Sequence, residues 1–125
     1  MDINLYAAWL GMLLGAIAGA ITGLFFHQEQ WLGGYSSWPR RLVRLGHISF
    51  FGIAFINLAF ALTVRSLSIN NGLTLPSNLL LIAAATMPLV CYLSAYKKFF
   101  RQLFFIPALS AMVGIALLLV RISRI

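Results

Sequence analysis

Four long apolar stretches, separated by charged or turn-forming residues, constrain this chain more than any other feature. They cover about residues 6–26, 45–64, 79–96 and 106–120. A helix of about 20 residues crosses the hydrocarbon core of a bilayer. Because 62% of the 125 residues are hydrophobic and only 9% are charged, a water-soluble fold of this size could not bury its apolar side chains. The sequence predicts an all-α integral membrane protein, a single four-helix transmembrane bundle with up-down-up-down topology.

The net charge of +7 comes from nine Lys and Arg residues that lie between the apolar stretches. Cations in these places set membrane topology, so we expect contacts with membrane lipids and no nucleic-acid partner. Six cations flank one side of the predicted membrane (Arg40, Arg41, Arg44, Lys97, Lys98 and Arg101), and three flank the other (Arg65, Arg121 and Arg124). The positive-inside rule then predicts a multi-pass protein with both termini outside the cytoplasm.

The first apolar stretch carries a small residue at every fourth position. The series comprises Ala7, Gly11, Gly15, Gly19 and Gly23, and the next step reaches His27. Small residues let membrane helices approach closely, so the pattern predicts that the first helix is the packing hub of the bundle. Each step of four residues drifts by about 40° around a helix, which indicates several neighbours in succession. We expect this stretch to be a mature transmembrane helix rather than a cleaved signal peptide.

The connecting segments predict where the other helices begin. The second helix should run from about Pro39 to Val64, capped by Ser37 or Trp38. Its first turns should protrude into water with their arginines. Ser77 is the expected cap of the third helix, and the mixed basic and aromatic segment 97–105 suits the membrane interface.

Two histidines are the strongest candidates for a ligand site. His27 ends the first span and His47 begins the second, so both are expected at the same membrane level, over small-residue helix faces. They could ligate a b-type haem, with Arg40 and Arg44 pairing with its propionates, or a transition metal with Glu29 as third ligand. In a simpler interpretation, each histidine hydrogen-bonds a loop carbonyl or water. The sequence leaves the cofactor unknown.

Few other polar groups lie within the spans. Asn57 is expected to join helices through a hydrogen bond. No acidic residue lies between Asp2 and Glu29, and the sequence shows no nucleophile with an adjacent base, no paired carboxylates and no phosphate-binding glycine loop. These features predict a protein that is not an enzyme.

The function expected from these features is that of a small non-catalytic subunit of a larger membrane complex, whose other subunits are its partners. The two histidines and the arginines suggest a respiratory or photosynthetic electron-transfer assembly as the host. The alternative is a homo-oligomeric channel or carrier for small solutes or ions, with a pathway between chains lined by Asn57, Thr86 and Ser110.

Overall fold

A computed structural model describes residues 2–125 and contains four long helices. They are α1 (Asp2–Gly23), α2 (Trp38–Ser66), α3 (Thr74–Tyr96) and α4 (Phe105–Ile122). Two short 3-10 segments, Trp31–Gly33 and Lys98–Phe104, precede α2 and α4. All four helices, the last taken together with its preceding 3-10 turns, are long and apolar enough to cross a membrane. The all-α fold with four membrane-spanning helices is confirmed.

Successive helices run antiparallel. Along α1, Gly11 faces Ala54 and Gly19 faces His47, so residue numbers rise on one helix as they fall on the other. In the same way, α3 brings Cys91 beside Gly46 and α4 brings Gly114 beside Leu80. The chain therefore forms an up-down-up-down bundle. We call the end with loop 24–37 and segment 97–104 the basic end, because it carries six of the nine Lys and Arg residues.

The position of α1 differs from the hub that the glycine pattern predicts. Helices α2 and α3 occupy the centre, α1 packs mainly on α2, and α4 packs mainly on α3. Only Asn4, Ala8 and Gly15 of α1 are buried, whereas large side chains such as Trp9 and Ile17 are exposed. The reason is that the glycines lie on one face of α1, and that face receives one neighbour.

Three of the four α1 glycines contact α2. A Cβ atom at Gly11 would lie 3.2 Å from the Cβ of Ala54, and one at Gly15 would lie 2.8 Å from the ring of Phe51. A Cβ at Gly19 would meet the ring of His47, whereas nothing lies within 4 Å of the corresponding position at Gly23. From Gly11 to Gly19 the drift is only about 80°, which one helix face accommodates, so a single partner helix suffices.

Helix α1 ends earlier than predicted. It stops at Gly23, and residues 24–27 form turns in which the amide of Leu24 donates to the carbonyl of Ile21. Glycine favours helix termination, and the turns place His27 outside the helix. By contrast, α2 begins where the sequence indicates, with the Ser37 hydroxyl accepting a hydrogen bond from the Arg40 amide at 3.3 Å.

Helix α3 begins at Thr74, before the predicted start near Leu79. Pro76 lies in its first turn, where its missing N–H removes no helical hydrogen bond. Ser77 is therefore inside the helix and buried, which corrects its prediction as a cap.

Substituting Gly15 tests the contact between α1 and α2. Gly15→Ala places a methyl group 2.8 Å from Phe51, so we expect the free energy of unfolding in detergent micelles to fall by about 1–3 kcal/mol. Gly23→Ala, in the same helix but with open space around it, should change it little. Denaturation followed by circular dichroism measures both; equal losses in the two variants would contradict the α1–α2 packing.

Candidate functional site

Three buried polar side chains form one cluster where α1, α2 and α3 meet. The Asn4 side-chain amide donates to Oδ1 of Asn57 at 2.8 Å, and the Ser77 hydroxyl donates to Oδ1 of Asn4. The Asn57 amide also donates to the carbonyls of Ile53 at 3.1 Å and Leu80 at 3.2 Å. We call Asn4, Asn57 and Ser77 the asparagine cluster. Its hydrogen bonds join three helices, so the cluster serves to hold the helices together.

The sequence reasoning selected Asn57 but missed two members of the cluster. Asn4 precedes the predicted first span and is easily assigned to the membrane surface, while Ser77 is taken as a cap. One signal could have found Asn4: it shares a helix face with Ala8, Gly11 and Gly15, at spacings of four, seven and eleven residues. A polar residue in line with a small-residue face indicates a contact with another helix.

Arg40 is buried, with 4% of its surface exposed, although the sequence predicts that it protrudes into water or pairs with a cofactor. Its guanidinium donates to the carbonyls of Phe26 at 2.8 Å and of Gln28 and Glu29 at 3.2 Å each. It also lies over the rings of Phe26 and Trp31, 4.8 and 5.8 Å from their centroids. Because α1 ends at Gly23, these carbonyls lie in a loop outside the helix, where the several N–H donors of one guanidinium can reach all three. The Gln28 carbonyl also accepts a hydrogen bond from the Trp31 amide at 3.1 Å.

Arg44 and Trp38 fasten the basic end in a similar way. The Arg44 guanidinium donates to the Tyr35 carbonyl at 2.8 Å and lies 3.9 Å from the centroid of the Tyr35 ring. The Trp38 indole N–H donates to the Ser94 carbonyl at 2.7 Å, joining the start of α2 to the end of α3. Both arginines expected to pair with haem propionates thus bind backbone carbonyls.

The two histidines occupy different environments. His27 is exposed in the turn after α1, so the helical phase that predicts it over Ala20 and Gly23 does not apply. His47 is half-buried on α2, with its ring against Gly19 and edge-on to the Phe51 ring at 5.6 Å. Within residues 2–125, no group of three His, Cys, Asp or Glu side chains is placed to hold a metal ion. The set of His27, His47 and Glu29 is therefore not assembled.

Two of the residues expected to line a transport pathway are engaged in hydrogen bonds within the chain. Asn57 is fully enclosed and hydrogen-bonded within the chain, so in this arrangement it cannot face a pathway between chains. The Thr86 hydroxyl donates to the Ile82 carbonyl of its own helix at 2.6 Å. The channel or carrier stays a prediction.

An apolar groove runs between α1 and α3, with α2 as its floor, and has a volume of about 260 Å³. Small residues from all three helices line it, among them Ala7, Gly11, Ala54, Ala84 and Ala85. We call this feature the alanine groove. It offers shape and apolar surface to a neighbour in the membrane, and no catalytic group lines it.

A scan against protein-family models found no matching family, and searches of curated proteins and of solved structures found no match.

A double-mutant cycle tests the asparagine cluster. Asn4→Ala and Asn57→Ala each leave a buried amide without its partner, so each should lower the free energy of unfolding by about 1–2 kcal/mol. The double variant should lose less than the sum of the two because both partners are removed together. Asn78→Ala, at an exposed position of α3, is the control and should change stability little. Strictly additive losses would contradict the Asn4–Asn57 bond.

Proposed function

We propose that this chain is a small non-catalytic subunit of a larger membrane complex and that a helix of another subunit packs into the alanine groove. The groove itself is the observation that carries the proposal. Small side chains from three helices line it. Surfaces of small residues are those at which membrane helices approach each other closely.

The surroundings of the groove support a protein partner. Leu10 and Leu14 of α1 and Ala85 of α3 are exposed along it, so it opens at the surface of the bundle rather than inside it. In lipid no hydrophobic force drives helices together, and close van der Waals packing has to supply the association energy. A partner helix that presents side chains to the groove gains that packing along both α1 and α3.

The polar groups of the bundle support a non-catalytic role. Asn4, Asn57 and Arg40 use their side chains to hold helices and the loop after α1 together. Groups committed to such bonds are poorly suited to bind and release a substrate. We therefore infer that these residues have a structural task within the chain, and that activity resides in the partner subunits.

Filling the groove tests this proposal. Ala85→Phe places an aromatic ring at the opening of the groove and should abolish co-purification with partner subunits from native membranes in mild detergent. Ala116→Phe makes the same change at an exposed position of α4 and should leave co-purification intact.

Helical content and thermal unfolding of both variants establish that they fold. If Ala85→Phe retains its partners as fully as Ala116→Phe does, the groove is not the interface. Should the wild-type chain purify alone and catalyse solute flux in proteoliposomes, the subunit proposal is overturned in favour of a carrier.

An electron-transfer complex is the more specific form of the proposal, and only the histidines support it. His27 and His47 both belong to the basic end, but they lie in different environments, and among the residues that the structure describes no third ligand joins them. A b-type haem predicts a Soret band in the purified chain that is lost in His47→Ala. Colourless wild-type protein without bound iron would remove the haem while leaving the groove proposal intact.

A further inference from the structure

A second cleft, on the outer surface of α2 at the basic end, combines cationic and apolar walls. It is a shallow, open cleft with a volume of about 370 Å³, and it is lined by Trp38, Arg41, Leu42, Arg44, Leu45 and Ile48. We call it the Arg41 cleft. From Trp38 to Ile48 the helix rises by about 15 Å, so the cleft runs from the charged start of α2 down along its apolar surface.

Two cations from different elements converge on the indole ring of Trp38 at this cleft. Arg41 of α2 lies 5.8 Å from the ring centroid, and the ammonium group of Lys98, from the 3-10 segment, lies 5.2 Å from it. Two like charges beside one ring repel each other unless an anion lies near them. Their convergence therefore favours a negatively charged ligand.

The chain offers these two cations no carboxylate. In the described part of the chain the one ion pair joins Arg65 to Asp2, at the opposite end of the bundle. Arg41 and Lys98 are exposed, whereas Arg44 at the rim is held by the Tyr35 carbonyl. The cleft is thus lined by one accessible cation, Arg41, and one whose position is fixed, Arg44, and a second accessible cation, Lys98, lies against its Trp38 wall.

We propose that the Arg41 cleft binds an anionic phospholipid. The phosphate lies between Arg41 and Lys98, near Arg44, and an acyl chain follows Leu45 and Ile48 into the membrane. Basic residues at the interface attract anionic headgroups, and arginine binds phosphate oxygens with its planar fork. The exposed apolar wall below the cations favours a lipid over a soluble phosphate or an acidic peptide, because neither of these uses that wall.

The binding test compares two variants that each remove two positive charges from the basic end. Arg41→Gln with Lys98→Gln removes the two cations that lie over the Trp38 ring. Lys97→Gln with Arg101→Gln is the control, because both residues are exposed and neither lines the cleft. Full-length protein in neutral detergent is titrated with phosphatidylglycerol or phosphatidylcholine, and bound lipid is counted by native mass spectrometry. We expect wild type and control to retain phosphatidylglycerol preferentially, and the cleft variant to bind it about tenfold more weakly.

Several outcomes would overturn the proposal. The first is that the wild type retains phosphatidylglycerol and phosphatidylcholine equally, which is expected if the cleft binds an acidic protein partner. An equal loss in the control variant would show a general effect of charge. Inorganic phosphate is the third arm: if it displaces phosphatidylglycerol at matched concentration, the apolar wall plays no part. Circular dichroism verifies that the variants fold. If the double variant is unfolded, Lys98→Gln alone replaces it and should weaken phosphatidylglycerol binding severalfold.

Discussion

The hydrogen bond between Asn4 and Asn57 lies where water is excluded and three helices meet, and the arrangement of α1 depends on it. A buried amide without a partner would cost about 1–3 kcal/mol, so each asparagine holds the other in place. Apolar packing alone is tolerant of sliding along a helix, whereas a hydrogen bond of 2.8 Å requires one register. That register sets Gly11, Gly15 and Gly19 opposite α2, since the glycines follow Asn4 on the same helix.

Arg40 plays the corresponding part at the basic end. Its charge is buried without a carboxylate partner, and three carbonyl dipoles and two aromatic rings compensate it. This arrangement needs loop carbonyls that point toward Arg40 instead of along a helix, and the early end of α1 at Gly23 supplies that loop. The asparagine cluster at one end and Arg40 at the other therefore fasten α1 to α2, although little of α1 is buried.

The number of helices and their antiparallel order are predictable from the sequence because the apolar stretches match the thickness of a bilayer. The close approach at Gly15 is also predictable, because a glycine within a membrane helix mainly serves to let another helix come close. The environments of Ser77 and Arg40 are predicted wrongly, and Asn4 is not predicted at all, because their positions depend on partners distant in the chain. From the sequence, a polar residue near the end of an apolar stretch is expected at the membrane surface. Its burial becomes evident only when the position of the neighbouring helix is known.

The asparagine cluster also explains why the alanine groove exists. Asn4 and Ser77 draw α1 and α3 together at one end, and these helices touch over only a short length. Beyond the cluster, toward the basic end, the walls carry Ala7, Gly11 and Ala84, whose side chains are too small to fill the space between the helices. Because the polar contact holds α1 and α3 together at one end and the residues beyond it are small, a wedge-shaped space between the two helices stays open at the surface of the bundle. Larger residues there would have closed the bundle on itself, so the groove follows from the polar contact at one end together with the small residues beyond it.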